Sequence, residues 1–159
     1  MLNEKFNTIG NINLLTVPKT AFLCSQSYPA STVLKAYDWA KEQREKGNCV
    51  ISGFHSTLEK DVFDILQKGS QPIIIVLARG FGKNIRSRFQ LSLNKGNLLV
   101  ISPFDENVKR ITKETTLIRN QLIANISDDI VLGYVTPNGH LEQVISMVDK
   151  TKRIKVLQK

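Results

Sequence analysis

RNQLIANISDDIVLGYVTPNGHLEQVI, residues Arg119 to Ile145, decides the reading of the whole chain. Leu122 and Ile126 stand at helical spacing, DIVLGYV (129–135) then runs apolar without alternation, TPNG makes a polar turn, and HLEQVI starts another helix. An unbroken apolar run between helices is the pattern of a strand buried on both faces of a parallel sheet.

Four runs of the same kind lie upstream: AFLCS (21–25), CVIS (49–52), PIIIVLA (72–78) and LLVIS (98–102), with helix-length segments between them. Strand alternating with helix implies right-handed crossovers, and so a three-layer, doubly wound α/β fold with a mainly parallel, Rossmann-like sheet of five core strands. NINLLTVP (11–18) and RIKVL (153–157) are read as extra edge strands. A chain of 159 residues suits one domain, 1–159, with its core over about 20–150 and peripheral ends.

The helices carry their own punctuation. Pro29 is placed in the first turn of one that points Leu34, Tyr37 and Trp39 inward and stops at Gly47. In HSTLEKDVFDILQKG, Ser56 and Glu59 have capping-box spacing, Leu58, Val62, Ile65 and Leu66 form a stripe, and Gly69 ends the helix. Three more are expected over 84–94, over 113–126 with Ile118, Leu122 and Ile126 inward, and over 140–148.

Composition narrows the class. Hydrophobic residues at 42% and charged ones at 23% are ordinary for a soluble globular protein. No apolar run approaches the roughly 20 residues that span a bilayer, and the opening MLNEKFNTIG lacks a signal-peptide pattern, so a cytoplasmic protein with no membrane partner is expected. Cys24 and Cys49 sit inside apolar runs, as buried thiols do. A net charge of +8 draws polyanions, or simply solvates the surface. His55 and His140 have no second ligand at helical spacing, so neither a metal nor a cofactor is expected. The GxGxxG, GxxxxGK[ST] and GxSxG signatures of dinucleotide enzymes, P-loop NTPases and hydrolases are missing.

Ligands of open parallel sheets bind beyond the carboxyl ends of the strands. There the chain places Ser25 and Gln26, then Ser52, Gly53, His55 and Ser56, then Arg79 and Gly80, and finally Asn138 and Gly139. Gly53 lets the backbone bend close to an anion at the start of the capped helix, although a plain tight turn needs a glycine equally well. Arg119 either reaches the rim to grip a phosphate or carboxylate, or ties down loop carbonyls, while Asn120 orients it or binds a base or ribose. Asn138 and Gly139 open a second anion-binding helix end. Glu142, one turn on, suits the helix dipole or serves as a general base. Arg79, Lys83, Arg86 and Arg88 in ARGFGKNIRSR form either a polyanion surface or a solvated loop.

ISGFHSTLEKDVFDILQKG, LLVISPF and RNQLIANISDDIVLGYV together resemble the Rossmann-like domain of the DNA-processing protein A (DprA/Smf) family, within the wider group that includes the Lonely Guy phosphoribohydrolases. The resemblance covers about residues 20–150. It implies a stand-alone domain that binds a nucleotide-type ligand or single-stranded DNA at the strand ends, serves in DNA processing and forms a homodimer. Gln26 stands where the family's first loop carries arginine, and FHSTLEK offers none after the Ser-Gly turn. TPNGHLEQVI is similar to the Lonely Guy Pro-Gly-Gly-x-Gly-Thr-x-Glu motif, with Gly139 as its one glycine. That likeness implies the alternative, a nucleoside monophosphate phosphoribohydrolase using Glu142 and Arg119. Between the two, binding without chemistry is the expectation.

Overall fold

A computed structural model describes residues 5–157. In chain order the elements are β1 (Asn7–Gly10), a 3-10 turn (Ile12–Thr16), β2 (Lys19–Leu23), α1 (Ala30–Lys46), β3 (Cys49–Ser52), α2 (Thr57–Gln67), β4 (Ile73–Val76), α3 (Ile85–Arg88), α4 (Gln90–Lys95), β5 (Leu98–Ser102), α5 (Lys113–Ile126), β6 (Asp129–Leu132), α6 (His140–Ser146) and β7 (Arg153–Val156). The strands form one sheet in the order β1-β5-β4-β3-β2-β6-β7. All pairings are parallel except β1 on β5. This is the expected Rossmann-like sheet with an extra strand at each edge.

The unbroken apolar runs have a direct physical cause. Ala21 and Leu23 of β2 point into the core under α5 and α6, and Phe22 between them points into the core under α1 and α2. β4 repeats this with Ile74 and Val76 on one side and Ile73 and Ile75 on the other. Because successive side chains alternate between faces and both faces are covered, every position must be apolar. Phe22 stacks on Trp39 of α1 with ring centroids 5.1 Å apart, which fixes that helix against the sheet.

Several expectations needed correction. The first edge strand is residues 7–10, and most of NINLLTVP is the 3-10 turn, because the Asn11 side chain accepts the Asn13 N–H and caps it. β2 starts two residues before its apolar run, at Lys19, whose ammonium is buried and donates to the Leu15 and Val17 carbonyls at 3.0 Å each. A lysine satisfied this way is invisible as a strand residue in the sequence. Pro29 is the N-cap of α1 rather than part of its first turn. The face turned to the sheet carries Thr32, Ala36, Trp39, Ala40 and Gln43, and Leu34 lies outside, 69% exposed. The third helix breaks into α3 and α4 because Phe89 between them is drawn into an aromatic cluster, edge-on to Phe63 at 6.0 Å. In α5, Ile118 is outside and Arg119 and Asn120 are inside.

Packing of this kind predicts unequal costs for two leucines. Leu58→Ala empties a fully buried position and should lower the unfolding free energy by about 2–5 kcal/mol. Leu34→Ala should stay within about 0.5 kcal/mol in the same urea titration. Equal losses would show that α1 is rotated from the orientation described.

Candidate functional site

The sheet order reverses beside β2, since the chain leaves β2 for β3 through α1 on one face and reaches β6 through α5 on the other. The loops after β2 and β6 therefore diverge and leave a crevice at their carboxyl ends. A cleft of about 240 Å³ lies there, lined by Ser25 and Gln26 after β2, His55, Ser56 and Glu59 around the start of α2, Arg119 and Asn120 of α5, and Gly139 and His140 at the start of α6. Ser25 joins the two diverging loops, its N–H donating to the Tyr134 carbonyl at 2.9 Å and its Oγ accepting the Thr136 N–H at 2.9 Å.

Arg119 forms the floor. It is only 4% exposed, and its Nε donates to Asn120 Oδ1 at 2.7 Å. Among the described residues neither Nη group finds an acceptor, and no ion pair involves the guanidinium. The side chain also lines a second cleft of about 590 Å³, together with Gly53, Lys60, Phe63, Arg79, Arg88 and Phe89. Burial pushes the guanidinium below its ordinary value, with the Glu59 carboxylate pulling the other way.

Gly53 matters for a reason other than backbone freedom. A Cβ there would come within 2.5 Å of Arg119 Cζ, so the missing side chain is the space in which the guanidinium lies. The left-handed residue of this turn is Phe54, at φ 48. Its strain is held by ring packing on Phe63 at 4.9 Å and by its N–H donating to Ser52 Oγ at 3.1 Å. Ser52 is thus a fully buried brace and does not line the cleft.

The N–H groups at SGFHS that would meet an anion are already taken. Glu59 Oε1 accepts from His55 N at 2.9 Å and Ser56 N at 3.2 Å, while its Oε2 accepts from Cys24 N at 3.1 Å. The anion at the start of α2 is therefore the protein's own carboxylate. The Ser56/Glu59 spacing showed the capping box, but nothing local shows that Glu59 also reaches a loop 35 residues away. Glu59 is the site residue that the sequence reading missed.

The remaining candidates separate. Asn138, at φ 61, lies outside the cleft, and its N–H approaches Glu142 Oε1 at 3.4 Å. Glu142 is exposed and does not line the cleft. Arg79 and Arg88 line the second cleft, with Arg88 4.8 Å over the Phe89 ring, and Lys83 lies with Arg79 in an adjoining hollow. Arg86 is in a separate hollow beside β1. The Asn120 amide nitrogen lies 3.0 Å from His140 Nε2. Burial first, and the Arg119 charge second, hold both His55 and His140 below the ordinary imidazole value. Burial pushes the Cys24 thiol up to about 12, the Glu59 charge adding to it, so it is no nucleophile near neutrality. Among the described residues no group of three or more His, Cys, Asp or Glu is placed to hold a metal, and no helix is long and apolar enough to cross a membrane.

The Gly53–Arg119 contact can be tested by a double-mutant cycle. Gly53→Ala should cost about 1–3 kcal/mol by overpacking, and clearly less when Arg119 is already alanine. Additive losses in urea denaturation of the four proteins would remove the guanidinium from above Gly53. Thiol labelling at pH 8 should be slow at Cys24 and Cys49, both held near 12, and rapid once the protein unfolds.

No protein-family model and no curated protein sequence matches the chain. Solved structures do. DNA processing protein A from Helicobacter pylori, studied for its binding of single-stranded DNA, superposes with TM-score 0.75 at 17% identity, over 95% of this chain and 70% of that one. DNA processing protein A from Streptococcus pneumoniae gives 0.74 at 16% identity, over 95% of this chain and 54% of its own length. The molybdenum cofactor binding protein of the phototrophic bacterium Rippkaea orientalis gives 0.60 at 10% identity, over 87% of this chain and 75% of that one. The chain therefore has the Rossmann-like α/β fold seen in DNA processing protein A.

Proposed function

We propose that this domain binds single-stranded nucleic acid without chemistry, gripping a backbone phosphate with Arg119 over the carboxyl ends of β2, β3 and β6. The observation that carries the reading is Arg119, a residue 4% exposed that borders two clefts and whose Nη donors have no acceptor among the described residues. A nearly buried cation with only its Nε paired to protein is costly, and an oxyanion on the Nη groups would lower that cost. The planar fork suits two phosphate oxygens at once.

Other features favour a strand over an isolated nucleotide. Arg119 joins the two clefts, and Lys60, Arg79 and Arg88 supply charge along the second. The net charge of +8 adds a diffuse attraction. The fold shared with a DNA processing protein that binds single-stranded DNA supports the same choice. A homodimer belongs to this reading on the strength of the resemblance alone. The phosphoribohydrolase reading has less behind it, since Glu142 is exposed and outside the cleft and the buried carboxylate, Glu59, is occupied by three N–H groups.

A labelled oligo-dT titrated at about 50 and 200 mM salt tests the proposal. Binding should weaken steeply with salt, and Arg119→Met, which keeps an apolar stem in place, should lower affinity about tenfold or more, the worth of one charge-assisted contact. Unchanged affinity in Arg119→Met would take Arg119 out of the site, and binding of mononucleotides alone would refute the polymer.

A further inference from the structure

We infer that His140 is a second phosphate-contacting residue of this cleft, locked by Asn120 as a neutral imidazole that presents its Nδ1–H to the ligand. The inference rests on the phosphate-binding reading above and adds to it the donor that works beside Arg119.

Arg119 fixes the orientation of Asn120. A guanidinium donates only, so the atom of Asn120 that faces Nε at 2.7 Å must be the amide oxygen. The orientation of the amide, ordinarily ambiguous, is thereby fixed, and its NH₂ faces His140 Nε2 at 3.0 Å. Two donors cannot share that contact, so Nε2 carries the lone pair and the ring proton is on Nδ1. Asn120 is 7% exposed and has no room to turn without abandoning Arg119. The lock therefore runs from a buried cation, through a buried amide, to a ring at the mouth of the cleft.

His140 is an exposed residue at the rim of the same cleft as Arg119, and among the described residues Nδ1 has no protein acceptor, which leaves it open to a ligand. The charged groups felt by the ring are Arg119 from α5 and Glu59 from α2, with Glu142 two residues along its own helix. Burial and Arg119 both oppose a second proton there, in agreement with the geometry. The cleft thus meets a phosphate with one charged fork and one neutral donor. A histidine in this state holds a phosphate oxygen and has no proton to surrender as an acid near neutrality.

Two measurements on the intact chain decide the matter. Long-range proton–nitrogen spectra of 15N-labelled protein at pH 7.5 should show His140 as the Nδ1–H tautomer, the minor form of free imidazole, and Asn120→Asp should raise the His140 titration midpoint because a carboxylate accepts from Nε2–H. An Nε2–H ring, or a midpoint unmoved by Asn120→Asp in a protein with a folded spectrum, overturns the lock. With oligo-dT as probe, His140→Ala should bind about fivefold more weakly, while His140→Asn, whose amide N–H stands near the lost Nδ1–H, should stay within about twofold of the parent. Wild-type affinity in His140→Ala beside a defective Arg119→Met overturns the contact and leaves the binding site standing. An absence of oligo-dT binding by the parent protein overturns the site and the contact together, whatever the tautomer.

Discussion

Three backbone N–H groups from two loops converge on one carboxylate, that of Glu59, and the rim of the sheet depends on it. A buried carboxylate survives only if its oxygens are satisfied, and buried loop N–H groups survive only if something accepts from them. Glu59 meets both demands at once. It closes the cap of α2 and ties the loop after β2 to the loop after β3, so two segments joined by the whole of α1 are held in one geometry. Removing it would leave three donors without acceptors beside a buried arginine.

That arrangement fills the start of α2 with an internal carboxylate. In many doubly wound folds the helix after a strand offers bare N–H groups to a phosphate. Here those groups face an internal acid, and the nearly buried Arg119 guanidinium borders two clefts. Glycine at position 53 is what lets the guanidinium lie against the β3 turn. The Arg119 guanidinium is a planar donor set that acts at short range, whereas a net charge of +8 acts at distances set by salt.

Rotation of α5 brings the deep charge about. Its inward face holds Arg119 and Asn120 at one end and Leu122, Ile123 and Ile126 at the other. The apolar end secures the helix to β2 and β3, and the polar end is carried beneath the crevice as a consequence. Ile118, the first residue of the expected apolar stripe, is left 38% exposed, while Leu122 and Ile126 of the same stripe are buried.

The sequence by itself determined the fold class, the five core strands and the capping of α2. Each is a local or periodic property: strands covered on both faces must be apolar at every position, and a Ser-x-x-Glu cap acts within four residues. Only the tertiary structure decided the depth of Arg119, the reach of Glu59 to Cys24, the burial of Lys19 and the exposure of Leu34. These depend on distances between segments far apart in the chain and on helix rotation. A sequence read along one dimension names the residues at the strand ends, and the packing of layers selects which of them meet.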